Sequence, residues 1–412
     1  MSAQVSTIII GGGQAGLATS YWLKQHQHEH IILEEAAQAA NAWRNDRWDS
    51  FTLVTPNWAT RMPGAESPGS DPNGFMPRDE IVTYFEQYIE RFQLPIHYNT
   101  RVTAVEQGGA GYVVRTDDGT FTARNVVVAT GLYQRPKVPA FSAQLATEIT
   151  QLHSGAYRNP RSIPPGAVLV VGSAQSGCQI VEELYQNGRR VYLCTGSAAR
   201  FPRRYRGRDI VEWAYLSGFL DRTPDILPSP RARFAGNPQL SGKDGGHSLN
   251  LHQFAHDGVT LLGRLTGAAD HTITLAPDLK ANLAKADELE ADFCKMVDDY
   301  IARQGLDAPR EELPELRDGY NAPEILGLDL KAAGITTIIW AMGYSFDFSL
   351  VRLPTFDADG FPIQHGGVTN YAGLYFVGMP WLPMQQTGML LGVGKAAEHI
   401  AAHIAARSSA SL

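Results

Sequence analysis

Two glycine-rich turns, each behind a short apolar strand, lie about 160 residues apart in this chain. The first is Gly11-Gly12-Gly13-Gln14-Ala15-Gly16, after Ser6-Thr7-Ile8-Ile9-Ile10. The second is Gly172-Ser173-Ala174-Gln175-Ser176-Gly177, after Ala167-Val168-Leu169-Val170-Val171. In a strand–turn–helix of this kind, free backbone N–H groups at the helix N-terminus hold a pyrophosphate. Two such units predict an α/β fold with two Rossmann-like dinucleotide-binding domains. The simplest joint cargo is a bound flavin and the nicotinamide that reduces it.

Composition narrows the class. A chain of 412 residues can bury two cores. Its 35 basic and 42 acidic residues give a net charge of -7 with no basic tail, which argues against a nucleic-acid partner. No apolar run approaches the roughly 20 residues that cross a bilayer, so no membrane partner is expected. A strand starting near Val5 leaves no room for a signal peptide, and a cytoplasmic enzyme is expected. Cys178, Cys194 and Cys294 form no CxxC pair, which sets aside dithiol chemistry and a cysteine metal site. No G-x-S-x-G elbow or HExxH motif occurs, and no metal is expected.

In the first unit, Gly11 permits the tight turn, Gly13 the approach of the pyrophosphate, and Gly16 close helix–strand packing. Gln14 and Ala15 open a helix that runs to about His26. The next strand, His30 to Leu33, ends at Glu34, 18 residues beyond Gly16. A carboxylate there accepts hydrogen bonds from both ribose hydroxyls and repels a 2′-phosphate, so FAD or NAD fits and NADP does not. Glu35 reads as a solvated neighbour. Trp43, Arg44, Trp48 and Asp49 together read as the wall of a large planar ligand.

With Ala42-Trp43-Arg44, Arg47-Trp48-Asp49-Ser50 and Thr55-Pro56, this series resembles the single-component flavin-containing monooxygenases. The branch it looks most like is the bacterial flavoproteins often labelled cation-efflux proteins, relatives of the plant YUCCA enzymes. Phe75-Met76-Pro77-Arg78-Asp79-Glu80, Leu94-Pro95-Ile96 and Thr100-Arg101-Val102 continue the resemblance. So does Asn125-Val126-Val127-Val128-Ala129-Thr130-Gly131, whose last three residues are expected to mark the crossing between domains. The resemblance assigns Val102, Ala129, Thr130 and Gly131 to the FAD site, and implies a homodimer only at the family level.

The second unit keeps Gly172 and Gly177 but has Ala174 in the middle, with Gln175 and Ser176 opening its helix. No carboxylate ends the following strand, Arg190 to Cys194. The chain offers Thr195-Gly196-Ser197 and then Arg200, Arg203, Arg204, Arg206 and Arg208. Hydroxyls and guanidinium groups suit a 2′-phosphate, so NADPH is expected, with Ser197, Arg203 and Arg204 as contacts.

A long amphipathic helix spans Asp278 to Gln304 and reads as packing. The strand Ile335 to Trp340 runs into Ala341-Met342-Gly343-Tyr344, which resembles the family's second crossing with Met342 where Thr is usual. Leu374 to Gly378 is expected to lead to the flavin ring. Gln385-Gln386-Thr387-Gly388 then precedes a helix running to about Ile404, whose N-terminus would steady charge at the flavin N1–C2 edge. Gly378, Gln386 and Thr387 are therefore counted as cofactor contacts. The order of motifs predicts a discontinuous FAD domain, residues 1–145 and 325–412, with the nicotinamide domain, 146–324, inserted.

The resemblance implies a cycle in which NADPH reduces FAD, dioxygen gives a C4a-hydroperoxide, and a small molecule is oxygenated, most readily at N or S. The family fingerprint FxGxxxH(S/T)xx(Y/W) is only half present: His153-Ser154-Gly155-Ala156-Tyr157 fits, whereas Thr147 and Ile149 replace Phe and Gly. His153 is the catalytic candidate this leaves, alongside Thr55 and Asn57, near the family's polar neighbour of flavin N5. Two alternatives stay open. One is an NAD(P)H oxidase or reductase that releases hydrogen peroxide. The other is a non-catalytic redox sensor with the Arg200–Arg208 cluster as a docking face.

Overall fold

Apolar runs of four to nine residues punctuated by glycine turns form buried parallel strands, because helices cover both faces of such a sheet. The fold is given by a computed structural model that describes residues 2–66 and 71–409. Strand β1 (Ser2–Ile10) leads into helix α1 (Gln14–Gln25) and returns in β2 (His30–Leu33). There follow β3 (Ile96–His97), the hairpin β4 (Val102–Gly108) and β5 (Gly111–Thr116), and β6 (Thr120–Val128). The second unit contains β7 (Thr150–His153), β8 (Ala167–Val171), α2 (Gln175–Gln186) and β9 (Val191–Cys194). It continues through β10 (Thr260–Leu262), α3 (Leu279–Gln304) and β11 (Ile335–Trp340). Strand β12 (Leu374–Phe376) and helix α4 (Val393–Ser409) close the described chain.

The first sheet runs parallel in the order β12-β6-β1-β2-β3; the short strands Val368–Thr369 and Gln364–His365 extend it antiparallel beyond β12, and the β4–β5 hairpin runs antiparallel off β6. The second has the order β7-β11-β8-β9-β10 and is also parallel. All five residues of β8 are buried, as a strand with two covered faces requires. Helix α4 shares a core with α1: Ala397, Ile400, Ala401 and Ile404 are buried in one cluster with Leu17, Ala18 and Leu23.

The chain leaves the first sheet after β6 and comes back after β11. Arg135–Pro136 pairs antiparallel with Tyr344–Ser345, so the two crossings form one ribbon. This moves a boundary. The expected FAD segment returns at residue 325, yet β11 pairs with both β7 and β8, and Gly327–Asp329 pairs with Thr272–Leu275. The return therefore begins after Trp340; a strand belongs to the sheet that takes up its backbone hydrogen bonds, which its own sequence does not reveal. The C-terminal helix is also displaced. Gln385–Gly388 is a single 3₁₀ turn, and α4 starts only at Val393 and runs past Ile404.

A side chain at Gly177 would collide with the Gly172 carbonyl oxygen. Gly177→Ala should therefore push α2 off its turn at a cost of about 1–3 kcal/mol. The expected result is a lower urea midpoint with an unchanged denaturant slope.

Candidate functional site

The first turn is an open cradle. Gly11 has φ +105°, and a Cβ there would lie 2.9 Å from Ala129 O, so only glycine lets the end of β6 come this close. A Cβ at Gly16 would strike the Gly11 carbonyl, whereas one at Gly13 would meet nothing within 4 Å. Gly13 caps α1 with no side-chain hydrogen bond, and no described group accepts from the Gln14 N–H. The positive end of the helix dipole and its free donors thus face open space, the arrangement a pyrophosphate fills.

Glu34 stands beside this turn as expected: Oε2 accepts from Gly12 N at 2.6 Å and Oε1 from Ala36 N at 2.9 Å. Thr100 N bonds to Glu34 O at 2.9 Å, which brings the start of β4 and Val102 to the same edge. At the other side Gly378, with φ +79°, lies so close to Ala15 that a side chain would collide with it. Gln14 Nε2 donates to Gly388 O at 2.8 Å and fastens the C-terminal loop to the turn. Gln134 Nε2 holds the crossing by bonding Thr130 Oγ1 and Gly131 O. Gly11 to Gly16, Glu34, Val102, Ala129 to Gly131 and Gly378 therefore converge around one edge of the first sheet.

Several expected contacts have other work. Thr387 Oγ1 is buried, 2.8 Å from Met379 O and 2.7 Å from Met384 O, and accepts from Leu382 N. Gln386 is buried and its amide donates to Asp221. Both side chains shape the 379–388 loop and its join to the second unit. Trp48 is likewise a correction. It is buried in the core that contains Val181 and Leu184 of α2, edge-on to Phe51, and is a joint between units. Trp43 is half-buried with the Arg47 guanidinium 5.2 Å from its ring, and Arg44 pairs with Glu86 at 2.6 Å. Arg44 Nε nevertheless remains buried without a partner.

His153 also departs from expectation. Its Nε2 donates to Gly343 O at 3.0 Å, and Nδ1 accepts from Gly155 N at 3.2 Å. The ring stands edge-on to Tyr344, 4.6 Å between centroids. Burial pushes its pKa down, so the imidazole is neutral with both nitrogens committed to the crossing. It cannot shuttle a proton there without breaking that joint. Thr55 and Asn57 lie on the segment that meets the second unit, where Val54 O accepts from Arg203. Asn57 Nδ2 donates to Asp71 O at 2.9 Å, while Asn57 Oδ1 and Thr60 Oγ1 are buried and unpartnered, a lack that a bound ligand can remedy.

The second turn repeats the first closely. Gly172 has φ +111°, and a Cβ would lie 2.5 Å from Ala341 O. Ala174 has φ -79° and ψ -174°, against -79° and -177° at Gly13; a methyl group is allowed because neither residue is in the left-handed region. Ser197 is exposed just past β9. The arginines all have partners within the protein. Arg200 binds Asp287 and Glu290 at 2.7 and 2.6 Å, and buried Arg203 binds Asp209 at 2.6 Å and Val54 O at 2.8 Å. Arg204 donates to Gly245 O and Gly246 O, Arg206 binds Asp298, and Arg208 binds Glu212. The acidic side of α3, about 90 residues downstream of the cluster, accounts for Arg200 and Arg206. Arg203, buried on Asp209, is therefore not placed as a 2′-phosphate contact, whereas exposed Arg204 bonds only backbone carbonyls.

One buried carboxylate escaped the sequence reading. Glu183 on α2 accepts from Ser50 Oγ of the first unit and Tyr157 Oη of the second, each at 2.7 Å. Nothing in its local sequence separates it from a surface helical acid. All three cysteines are free and buried, and burial raises their thiol pKa values.

Two nucleotide cradles on two parallel sheets, joined by one ribbon, define an oxidoreductase of the double-dinucleotide architecture. Residues 8–209 match the family described as pyridine nucleotide-disulphide oxidoreductase. The CzcO-like oxidoreductase of Geobacillus kaustophilus is 31% identical over 398 residues, covering 96% of this chain and 97% of that protein. The CzcO oxidoreductase of Bacillus subtilis is 28% identical with the same coverage. The chain belongs to this CzcO-like family of flavoprotein oxidoreductases, the branch its motifs resemble. A flavin-containing monooxygenase from Stenotrophomonas maltophilia has the same fold, with TM-score 0.67 over 98% of this chain and 99% of that one at 20% identity.

Two substitutions separate cradle from scaffold. Gly13→Ala should leave thermal stability within about 1 kcal/mol, since its Cβ meets open space, yet weaken FAD retention as measured by flavin content after dialysis. His153→Gln tests the neutral imidazole. With its folded pKa below the ordinary 6.5, the wild type should lose stability as pH falls below about 6.5, where the unfolded chain takes up the proton. The variant should lack that acid-side loss and keep the wild-type pH profile of turnover, the opposite of what a catalytic histidine gives.

Proposed function

We propose that this chain is an NADPH-dependent FAD monooxygenase acting on a small molecule, with N- or S-oxygenation as its reaction. The observation that carries the reading is the pair of equivalent cradles with different ribose ends: a carboxylate, Glu34, at one, and Thr195 with no carboxylate at the other. Glu34 suits the unphosphorylated ribose of FAD, and the Thr195-Gly196-Ser197 end admits a 2′-phosphate. Three buried, unpaired cysteines leave no dithiol to carry electrons onward, which favours transfer to oxygen over disulfide reduction.

The chemistry supplied by bound FAD is hydride acceptance from NADPH and activation of dioxygen for transfer of one oxygen atom. The chain's residues do the rest. The N–H groups opening α1 hold the FAD pyrophosphate, and Glu34 orients its ribose. Gly378 lets the end of β12 press against Ala15, and Gln14 holds the 379–388 loop beside the same turn. The N–H groups opening α2 hold the NADPH pyrophosphate, and the ribbon joining the crossings sets one cradle against the other.

The committed hydrogen bonds of His153 favour a second reading, an oxidase that releases hydrogen peroxide, because no free imidazole stands at the fingerprint position. Stopped-flow spectroscopy decides. Protein reduced anaerobically with NADPH is mixed with oxygenated buffer without substrate. The expected result is a persistent absorbance blue-shifted from that of oxidised flavin, before oxidised flavin returns. Immediate return with stoichiometric peroxide establishes the oxidase instead, and failure of NADPH to reduce the flavin defeats both readings.

A further inference from the structure

The two cradles share a backbone but not a covering. Over the first, the Gln14 N–H is open and the space above Gly13 is empty. Over the second, the equivalent Gln175 N–H donates to Asn237 O at 3.3 Å, and the Gln175 side-chain amide bonds Pro238 O at 3.4 Å. A Cβ on Gly236 would lie 3.2 Å from the Ala174 methyl, so the chain at 236–238 sits directly on the turn. Gln239 is wholly buried next to it; its Nε2 donates to Ser173 O at 2.8 Å while its Oε1 has no partner. A protein carbonyl thus takes the donor that a phosphate oxygen takes in a nucleotide complex.

The segment carrying that carbonyl is anchored at both ends, at Gln239, whose N–H bonds Ala199 O at 2.8 Å, and on the first unit. Phe234 sits among Phe346 and Phe361, with centroids 5.2 and 5.8 Å away, on the returning part of the first unit. Arg233 lies over the Phe361 ring at 4.3 Å, and Arg231 pairs with Asp359 at 3.0 Å. Between these anchors and buried Gln239, residues Ala235 to Asn237 are exposed. The Asn237 contact is one long neutral hydrogen bond, whereas a pyrophosphate offers charged oxygens that bind such donors about twice as strongly.

We propose that residues 227–238 form a strap that closes the second cradle in the unloaded protein and is displaced by the pyrophosphate of the nicotinamide dinucleotide. This rests on the reading of the second cradle as the NADPH site. Because the strap spans both units, its release ties nucleotide entry to the contact between them. An affinity measured against a closed strap is reduced by the fraction of molecules in which it is open.

Hydrogen exchange of the flavin-loaded protein, with and without NADPH, reads the strap directly, and NADPH titration of Phe234→Ala and Arg231→Ala reads its cost. The expected results are faster exchange in 227–238 on NADPH addition and apparent binding about threefold to tenfold tighter in Phe234→Ala at unchanged flavin content. Arg231→Ala, whose exposed ion pair is dispensable for folding, should shift affinity the same way by less. NADPH binding that leaves exchange in 227–238 unmoved and is equally tight in all three proteins overturns the strap while the nicotinamide reading stands. Absence of NADPH and NADH binding in all three overturns both.

Discussion

The contact on which the rest depends is the one between the last glycine of each turn and the carbonyl of the first. Gly16 lies against Gly11 O, and Gly177 against Gly172 O, closer than any side chain permits. That approach seats the helix on the strand that precedes it, so its first N–H groups open beyond the sheet edge. The crossing strand completes the arrangement: Ala129 N bonds Ile10 O, and Ala341 N bonds Val171 O, each at 2.9 Å. Both crossings therefore leave their sheets beside a glycine turn, which is why the connecting ribbon lies between the two turns.

The joint between the units sets buried polar groups beside apolar ones. Glu183 is buried and takes one hydroxyl from each side, and Arg203 crosses from the second unit to Val54 O of the first. A carboxylate or guanidinium out of water is costly unless hydrogen-bonded, so these bonds fix the register of a joint to which Trp48 adds apolar area. Arg222 extends it, bonding Gln385 Oε1 at 2.7 Å with its guanidinium over Phe219 at 3.4 Å. The loop that would face the flavin is thereby held by residues of the other unit.

Features encoded within about 40 residues were legible in the sequence. Both turns, helix α1, strand β2 and Glu34 at its end are local patterns, and each stands where its spacing implies. What failed was non-local. The arginines after β9 read as anion-binding because guanidinium groups suit a 2′-phosphate, but Asp287, Glu290 and Asp298 of α3 reach Arg200 and Arg206, and Asp209 takes up Arg203. His153, Gln386 and Thr387 sit in motifs suggestive of chemistry, yet each is used up by a backbone or side-chain partner that only the folded chain supplies. Strand β11 belongs to the second sheet for a reason equally non-local: its apolar run fits either sheet, and its partners decide.

The duplicated turn shows how far a motif can speak for a site. At Gly13 and Ala174 the backbone differs by a few degrees, so the pattern reports the geometry of the cradle faithfully in both units. It is silent on what lies above. An N–H left unpaired and buried costs about 1–3 kcal/mol, and a protein that must leave such donors free for a ligand exposes them to water or lends them a weak substitute. The first cradle takes the former course. The second takes the latter, with a carbonyl from a segment some 60 residues away in sequence, anchored on the opposite unit. Alanine at position 174 belongs with that choice, since its methyl is the surface against which Gly236 rests. The alanine in the second motif thus finds its neighbour in the covering segment.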